Sequence, residues 1–325
     1  MARILVTGGA GYIGSHIAKA LYAAGHEPVV LDNLSRGHRD FIRWGTFIQG
    51  DVRDAQTLQS VFASMSFHGI IHLAALAYVS ESVEDPNAYY ENNVCGTRNL
   101  LSAMVQAKVS NLVFSSSCAV YGEPDRLPIL EETPCNPINP YGFTKWACER
   151  MMMDFQAAYG LRSVRLRYFN SAGADPAGQI GEDHDPETHL IPLLLGVAQG
   201  KRTQFSIYGR DYPTRDGTAE RDYIHVEDLA AAHLAALSHL LDGGASLSLN
   251  LGTGQGATVW EVLQAVERVT GHSIPHEIKS RRKGDPAQLV ADASKAYAKL
   301  AWHPKHSDLD RIVADAWRWH QRRFG

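Results

Sequence analysis

Cysteine is scarce in this 325-residue chain. The four residues, Cys95, Cys118, Cys135 and Cys148, form no Cys-x-x-Cys pair and show no zinc spacing. That excludes a disulfide scaffold or a zinc ribbon; the cysteines read as reduced thiols, mostly core fillers, and no metal site is expected. Long apolar runs are missing too. Residues 190–198 are too short for a membrane span of about 18 residues or more and contain Pro192 and Gly196. There is no excess of charge: 31 Lys and Arg against 35 Asp and Glu leave a net −4, which gives no reason to expect nucleic acid or an anionic membrane as partner. Internal repeats and low-complexity segments are absent. The opening Met-Ala-Arg-Ile-Leu-Val reads directly as a strand, so no secretory leader is expected and the chain is expected to be cytoplasmic.

Glycine, by contrast, is placed where it carries chemistry. Thr7-Gly-Gly-Ala-Gly-Tyr-Ile-Gly14 follows the apolar run Ile4-Leu5-Val6 and opens an apolar-periodic segment, a strand, a turn and a helix start. A helix N-terminus has unpaired N–H groups and partial positive charge, suited to a pyrophosphate. Gly8, Gly11 and Gly14 allow the tight turn, the close approach of phosphates and close helix–strand packing. A second strand, Pro28–Leu31, ends in Asp32, 18 residues beyond Gly14. That is near the spacing at which a carboxylate accepts hydrogen bonds from an adenosine ribose.

Further strands are predicted at 46–49, 70–73, 112–115 and 164–167, with helices at 14–24, 55–64, 93–107 and 142–159. Strands separated by helices imply right-handed crossovers and a parallel sheet covered on both faces. The expected fold is α/β, a Rossmann-type doubly wound parallel sheet with a smaller C-terminal α/β substrate-binding lobe. Residues 1–170 are expected to form the dinucleotide domain, with a returning segment near 221–255, and residues 171–325 the smaller lobe. Leu247–Leu251 reads as the returning buried strand, whereas 171–188 and 209–222, rich in Gly, Asp and Pro, read as long loops.

Tyr141-Gly-Phe-Thr-Lys145 opens a helical stretch after Asn139-Pro140. The i, i+4 spacing puts both side chains on one face. A phenol with a pKa near 10 is a poor base at neutral pH, but neighbouring positive charge favours its phenolate. Ser117, in the serine-rich segment 114–117 at the end of the strand at 112–115, is the candidate hydroxyl to hydrogen-bond the reacting oxygen. The catalytic candidates are therefore Tyr141, Lys145 and Ser117.

With these motifs assembled, the chain resembles the extended short-chain dehydrogenase/reductase family, and within it the branch that epimerises UDP-hexoses at C4. The resemblance runs over essentially the whole chain, through Leu31-Asp-Asn-Leu34, Gly50-Asp-Val-Arg-Asp54, His72-Leu-Ala-Ala75, Arg167-Tyr-Phe-Asn170 and Arg221-Asp-Tyr-Ile-His-Val226. It implies NAD as cofactor, held by Tyr12, Ile13, Asp32, Asn33, Leu34, Asp51, Val52, Asn92 and the backbone at Leu73, Ala74, Ala75 and on to Ala77. Lys145 would hold the nicotinamide ribose and Phe169 would pack near the ring. UDP-glucose or UDP-galactose would meet Asn170, His189, Leu190, Ile207, Tyr208, Arg221, Arg282 and Asp285, with Leu289 as the gate beside the sugar. A homodimer is implied through helices near 93–107 and 142–159, whose Leu100, Leu101, Met104, Met151 and Phe155 fit a core or an interface equally.

Two positions depart from the family pattern. Ala77 stands where many members carry lysine near the cofactor, and His189 where many carry asparagine near the diphosphate. Arg36, close to Asp32, bears on the preference for NAD over NADP. Dehydratases of this family carry an Asp-Glu pair before Val-Tyr-Gly, where this chain has Cys118 and Ala119. The catalytic trio alone also fits a net dehydrogenase, and the glycine turn alone a silent dinucleotide-binding scaffold.

Overall fold

The structure, a computed structural model, describes residues 1–282 and 286–325. The first half alternates β1 (Arg3–Thr7), α1 (Tyr12–Ala23), β2 (Glu27–Asp32), β3 (Thr46–Gln49), α2 (Ala55–Ser64) and β4 (Gly69–His72). It continues through α3 (Val79–Glu84), α4 (Pro86–Tyr89), α5 (Gly96–Gln106), β5 (Asn111–Ser117), α6 (Pro140–Tyr159) and β6 (Arg162–Tyr168). After these come β7 (Asn170–Ala172), α7 (Leu190–Ala198), β8 (Phe205–Tyr208), β9 (Glu220–His225), α8 (Val226–Leu241) and β10 (Leu247–Leu251). The chain ends with β11 (Gly256–Thr258), α9 (Val259–Thr270), β12 (His276–Lys279), β13 (Gln288–Leu289), α10 (Ser294–Leu300) and α11 (Leu309–Phe324).

Seven strands form one sheet in the order β10-β6-β5-β4-β1-β2-β3, and each pairing is parallel. The sheet is buried on both faces because its strands alternate two apolar sets. Ile4, Val6, Ile71, Val113, Leu166 and Leu249 pack on α1 and α8. Leu5, Leu31, Ile70, Leu112 and Phe114 pack on α2, α5 and α6. This is the expected Rossmann-type doubly wound fold. The chain leaves β1 toward β2 on one side and toward β4 on the other, so a crevice opens at their carboxyl ends, where such sheets bind ligands.

Beyond the sheet, β9 pairs with β7, β11 and β13, and β8 pairs with β12. A separate core made by α7, α9 and α11, including Leu194, Leu195, Val262, Leu263 and Ile312, supports these short strands. No helix among the described residues is long and apolar enough to cross a membrane.

The helix expected over 93–107 is broken at its start: Tyr90–Cys95 is a π-helical stretch that leads into α5. The reason lies in tertiary bonding. Asn93 accepts from the Leu76 N–H (2.8 Å) and donates to the Leu76 carbonyl and to Thr144 Oγ1 (3.0 Å each), and a π-turn lets it face both. Leu100, Leu101 and Met104 are wholly buried against the sheet and serve the core; Met151 and Phe155 lean half-buried on the same cluster.

Buried neutral histidines make stability pH-dependent. Burial pushes His16 and His72 down to about 3, and His233 and His320 down to about 4. An unfolded histidine takes up its proton near 6.5, so below that pH the unfolded chain binds more protons and native stability falls. The unfolding midpoint is expected to drop steadily from pH 6.5 to 5 in thermal scans. A flat midpoint over that window contradicts four histidines held neutral.

Candidate active site

A cleft of about 940 Å³ lies at the carboxyl ends of the sheet strands, and the glycine turn forms its floor. Gly8 has φ +74° and lies so close to β4's exit that a Cβ would stand 2.7 Å from the Ala74 nitrogen. A Cβ on Gly14 would meet the Gly8 carbonyl at 2.2 Å, so helix and strand pack through bare backbone. Gly11 differs: its nearest neighbour would be 3.4 Å away, which leaves an open cradle at the start of α1. No side chain caps that helix end, and its first-turn N–H groups remain available to an anion. These features fit a dinucleotide pyrophosphate.

Asp32 closes β2. Its Oδ2 accepts from Ala10 N–H (3.0 Å) and its Oδ1 from Leu34 N–H (2.8 Å), leaving each oxygen a further lone pair for ribose hydroxyls. Burial pushes this carboxyl above its ordinary range, while the two N–H groups oppose the rise. Arg36 is turned away from Asp32: its guanidinium pairs with Glu81 (2.5 Å) and the Asp185 carbonyl (2.9 Å) and covers the Tyr78 ring.

Along the walls the structure brings together Tyr12, Ile13, Asn33, Val52, the backbone from Leu73 to Ala77, Asn92 and Phe169 with the catalytic candidates. Asn170, His189, Leu190, Arg221, Arg282 and Leu289 line the far side. Four expected residues lie off the wall. Leu34 turns with φ 60° and gives its N–H back to Asp32. Asp51 is taken up by Arg53 (2.7–3.1 Å) and Asn33 (2.9 Å), which holds its carboxyl down at about 2; its neighbours Gly50 and Val52 face the cleft instead. Ile207 is buried in the core beneath α7. Tyr208 carries the Arg282 guanidinium 4.1 Å over its ring. Asp285 lies outside the described residues.

Helix α6 delivers the candidate pair Tyr141 and Lys145. Asn139 Oδ1 caps it at Gly142 N–H (2.8 Å), with Pro140 in the first turn, which puts Tyr141 and Lys145 on the cleft face. Lys145 is 3% exposed; its ammonium donates to the Ser115 carbonyl (2.8 Å) and lies 5.9 Å from the centre of the Tyr141 ring. Burial lowers it to about 8, so it stays largely protonated at neutral pH. Burial also raises the Tyr141 phenol well above 10, with a smaller rise from Tyr168, while a hydrogen bond with Ser117 lowers it. Ser117 ends β5, and its Oγ also accepts from Ala119 N–H (3.2 Å). Cys118 faces the same cleft, but burial pushes its thiol up to about 12, so it is no acid–base group at neutral pH.

The sequence reading missed Tyr78, Glu182 and His184, which also line the cleft. Only the acidic and histidine-rich composition of 182–189 could have flagged the last two. His189 lines the wall, but its Nδ1 is bonded to the Glu182 carboxylate and its ring meets that of His184 at 5.3 Å.

Residues 4–252 match the model of the NAD dependent epimerase/dehydratase family. A UDP-glucose 4-epimerase of Rhizobium meliloti (strain 1021) is 53% identical over 320 residues, covering 98% of this chain and 97% of that one. The crystal structure of UDP-glucose 4-epimerase from Brucella ovis in complex with NAD is 51% identical, with a TM-score of 0.95 over 98% of this chain and 99% of the other. The UDP-glucose-4-epimerase of Stenotrophomonas maltophila, solved with NAD and formylated UDP-arabinopyranose, is 41% identical, with a TM-score of 0.96 over 99% and 98% of the two chains. Glycine cradle, the carboxylate at the end of β2, Tyr–Lys–Ser cluster and near full-length similarity agree, and the chain belongs to the NAD-dependent epimerase/dehydratase family.

Proposed function

We propose that this protein interconverts UDP-glucose and UDP-galactose by redox-neutral 4-epimerisation with bound NAD. The observation that carries this reading is the cleft itself, which joins a dinucleotide cradle to Tyr141, Ser117 and Lys145 and then to two arginines on the opposite wall. The cleft residues would hold NAD, which when bound would supply a reversible hydride acceptor for C4 of the hexose and a positive charge from its oxidised ring. Tyr141 removes the 4-hydroxyl proton, directly or through Ser117, and returns a proton to the C4 oxygen once the 4-keto sugar has turned its opposite face to the hydride donor. Lys145 holds the nicotinamide ribose and keeps an ammonium near the phenol. Gly8, Gly11 and Gly14 admit the pyrophosphate, and Asp32 takes the adenosine ribose and repels a 2′-phosphate.

Arg221 and Arg282 anchor the UDP diphosphate, since planar guanidinium groups suit such oxygens. Anchoring at the nucleotide leaves the hexose free to turn over between the two hydride transfers. Dehydration has no support here: Cys118 is held as a thiol and Ala119 has no group that can exchange a proton. Residues 1–170 with the return near 221–255 serve the cofactor, and 171–325 serve the nucleotide sugar. The four cysteines are free, which agrees with a cytoplasmic setting. The exposed Tyr90 and Phe143, in edge contact at 6.0 Å, together with Met153, give π-stretch and α6 an apolar face suited to a homodimer.

A proton-NMR time course with UDP-galactose and trace NAD tests the reaction. Formation of UDP-glucose without reduced cofactor is expected; stoichiometric reduced cofactor makes the protein a dehydrogenase, and no reaction points to another sugar nucleotide or a silent binder. Leu289 borders the cleft beside the sugar subsite. Leu289→Tyr is expected to suppress turnover of UDP-N-acetylhexosamines while sparing UDP-galactose, read as the ratio of the two kcat/KM values. An unchanged ratio removes Leu289 from the gate.

A further inference from the structure

Four side chains between β7 and α7 converge: Glu182, His184, Glu187 and His189 each offer one ligand atom, all within 4.8 Å of one another. Glu182 Oε1 lies 3.1 Å from His184 Nδ1 and touches His189 Nδ1, and Glu187 Oε2 lies 3.9 Å from His184 Nδ1. The epimerisation chemistry needs none of this convergence. His184 Nδ1 is shut off from solvent, yet despite its distance to Glu182 it makes no directed hydrogen bond.

We infer that Glu182, His184, Glu187 and His189 form a binding site for one divalent transition-metal ion of the zinc or cobalt class, set into the cleft wall. Two imidazole nitrogens with two carboxylate oxygens suit such an ion, whereas magnesium and calcium prefer all-oxygen sets. The carboxylates' two negative charges balance the ion's charge.

Outer contacts hold the ligands in place before any ion arrives. Glu187 Oε1 accepts from Thr188 N–H (2.7 Å) and His189 N–H (2.8 Å), which leaves Oε2 for the site. Trp319 donates to the Glu182 carbonyl (2.8 Å), and Arg323 holds the Asp183 carboxylate (2.8 Å). Gly181 presses so closely on Trp319 that a Cβ would stand 2.4 Å from its ring. Such support is what fixes ligand direction in metal sites.

The test titrates tag-free, chelator-treated protein with cobalt(II) chloride and follows visible absorption. The expected result is one cobalt per chain with the strong d–d bands of a four-coordinate ion, displaced by zinc. Affinity should fall ten- to a hundredfold in His184→Asn and in Glu187→Gln, with circular dichroism and thermal scans showing both variants folded. Absence of bound cobalt at submillimolar concentration overturns the site and leaves the cluster as proton-linked ion pairs. A near-ultraviolet thiolate band, or affinity unchanged in both variants, overturns it equally, because the ion then sits on cysteine or elsewhere. The cobalt spectrum needs no turnover, so failure of the epimerase reading does not affect this outcome.

Discussion

Replacing Tyr141 with phenylalanine is expected to lower kcat for UDP-galactose epimerisation by about 10²–10⁴-fold, the usual contribution of a positioned proton-transfer group. The change removes one oxygen and little else. The ring remains packed edge-on to Tyr89 at 6.4 Å, Lys145 keeps its bond to Ser115, and Asn139 still caps the helix. KM should therefore stay within severalfold, which separates loss of chemistry from loss of binding. Burial holds the phenol protonated, so the activity of the unaltered protein should rise with pH as that proton is lost, and the variant's residual activity should lack that rise. Retention of more than a tenth of the rate in Tyr141→Phe would place the proton acceptor on another residue.

The second large effect concerns the frame beneath that tyrosine. Glu149, on the same helix, accepts from Ser116 Oγ at 2.6 Å and from Arg167 at 2.6, 2.9 and 3.2 Å, and both charged residues are nearly buried. Burial alone would lower the Arg167 pKa, but the Glu149 hydrogen bonds and charge raise it above its ordinary value. Arg167 also donates to the Tyr121 hydroxyl (2.9 Å), so the pair ties α6 to β5 and β6 under the catalytic residues. Glu149→Leu strands a guanidinium in the interior, a change that costs about 3–5 kcal/mol. The unfolding midpoint in denaturant should fall accordingly. The double variant Glu149→Met with Arg167→Met should regain most of the loss, since replacing both charges by apolar groups is often neutral. A single variant as stable as the parent would mean that water reaches Arg167.

Much of the site is legible in the chain because it is built from local rules. The glycine turn needs bare backbone at Gly8 and Gly14, and that need is written in residue type. Tyr141 and Lys145 lie one helical turn apart behind an Asn-Pro cap, so their common face follows from spacing. Asp32 ends a strand whose apolar run marks it as central. What stayed hidden depends on partners far along the chain. Asp51 reads as a cofactor contact, and nothing local to it foretells that Arg53 and Asn33 both bond to its carboxylate. Leu100 and Met104 read equally as core or interface, and only their burial against the sheet decides. The π-turn before α5 exists because Asn93 must reach both Leu76 and Thr144.

The sequence by itself determined the layered α/β fold, the glycine turn and the common face of Tyr141 and Lys145, because periodicity, glycine placement and helical spacing act within a few residues. The tertiary structure alone decided which groups bond to Asp32 and Asp51, and that His184 and His189 share one buried glutamate. Those outcomes turn on distances between segments, such as the contact of residue 182 with Trp319. No local pattern encodes a distance set by the packing of the whole core.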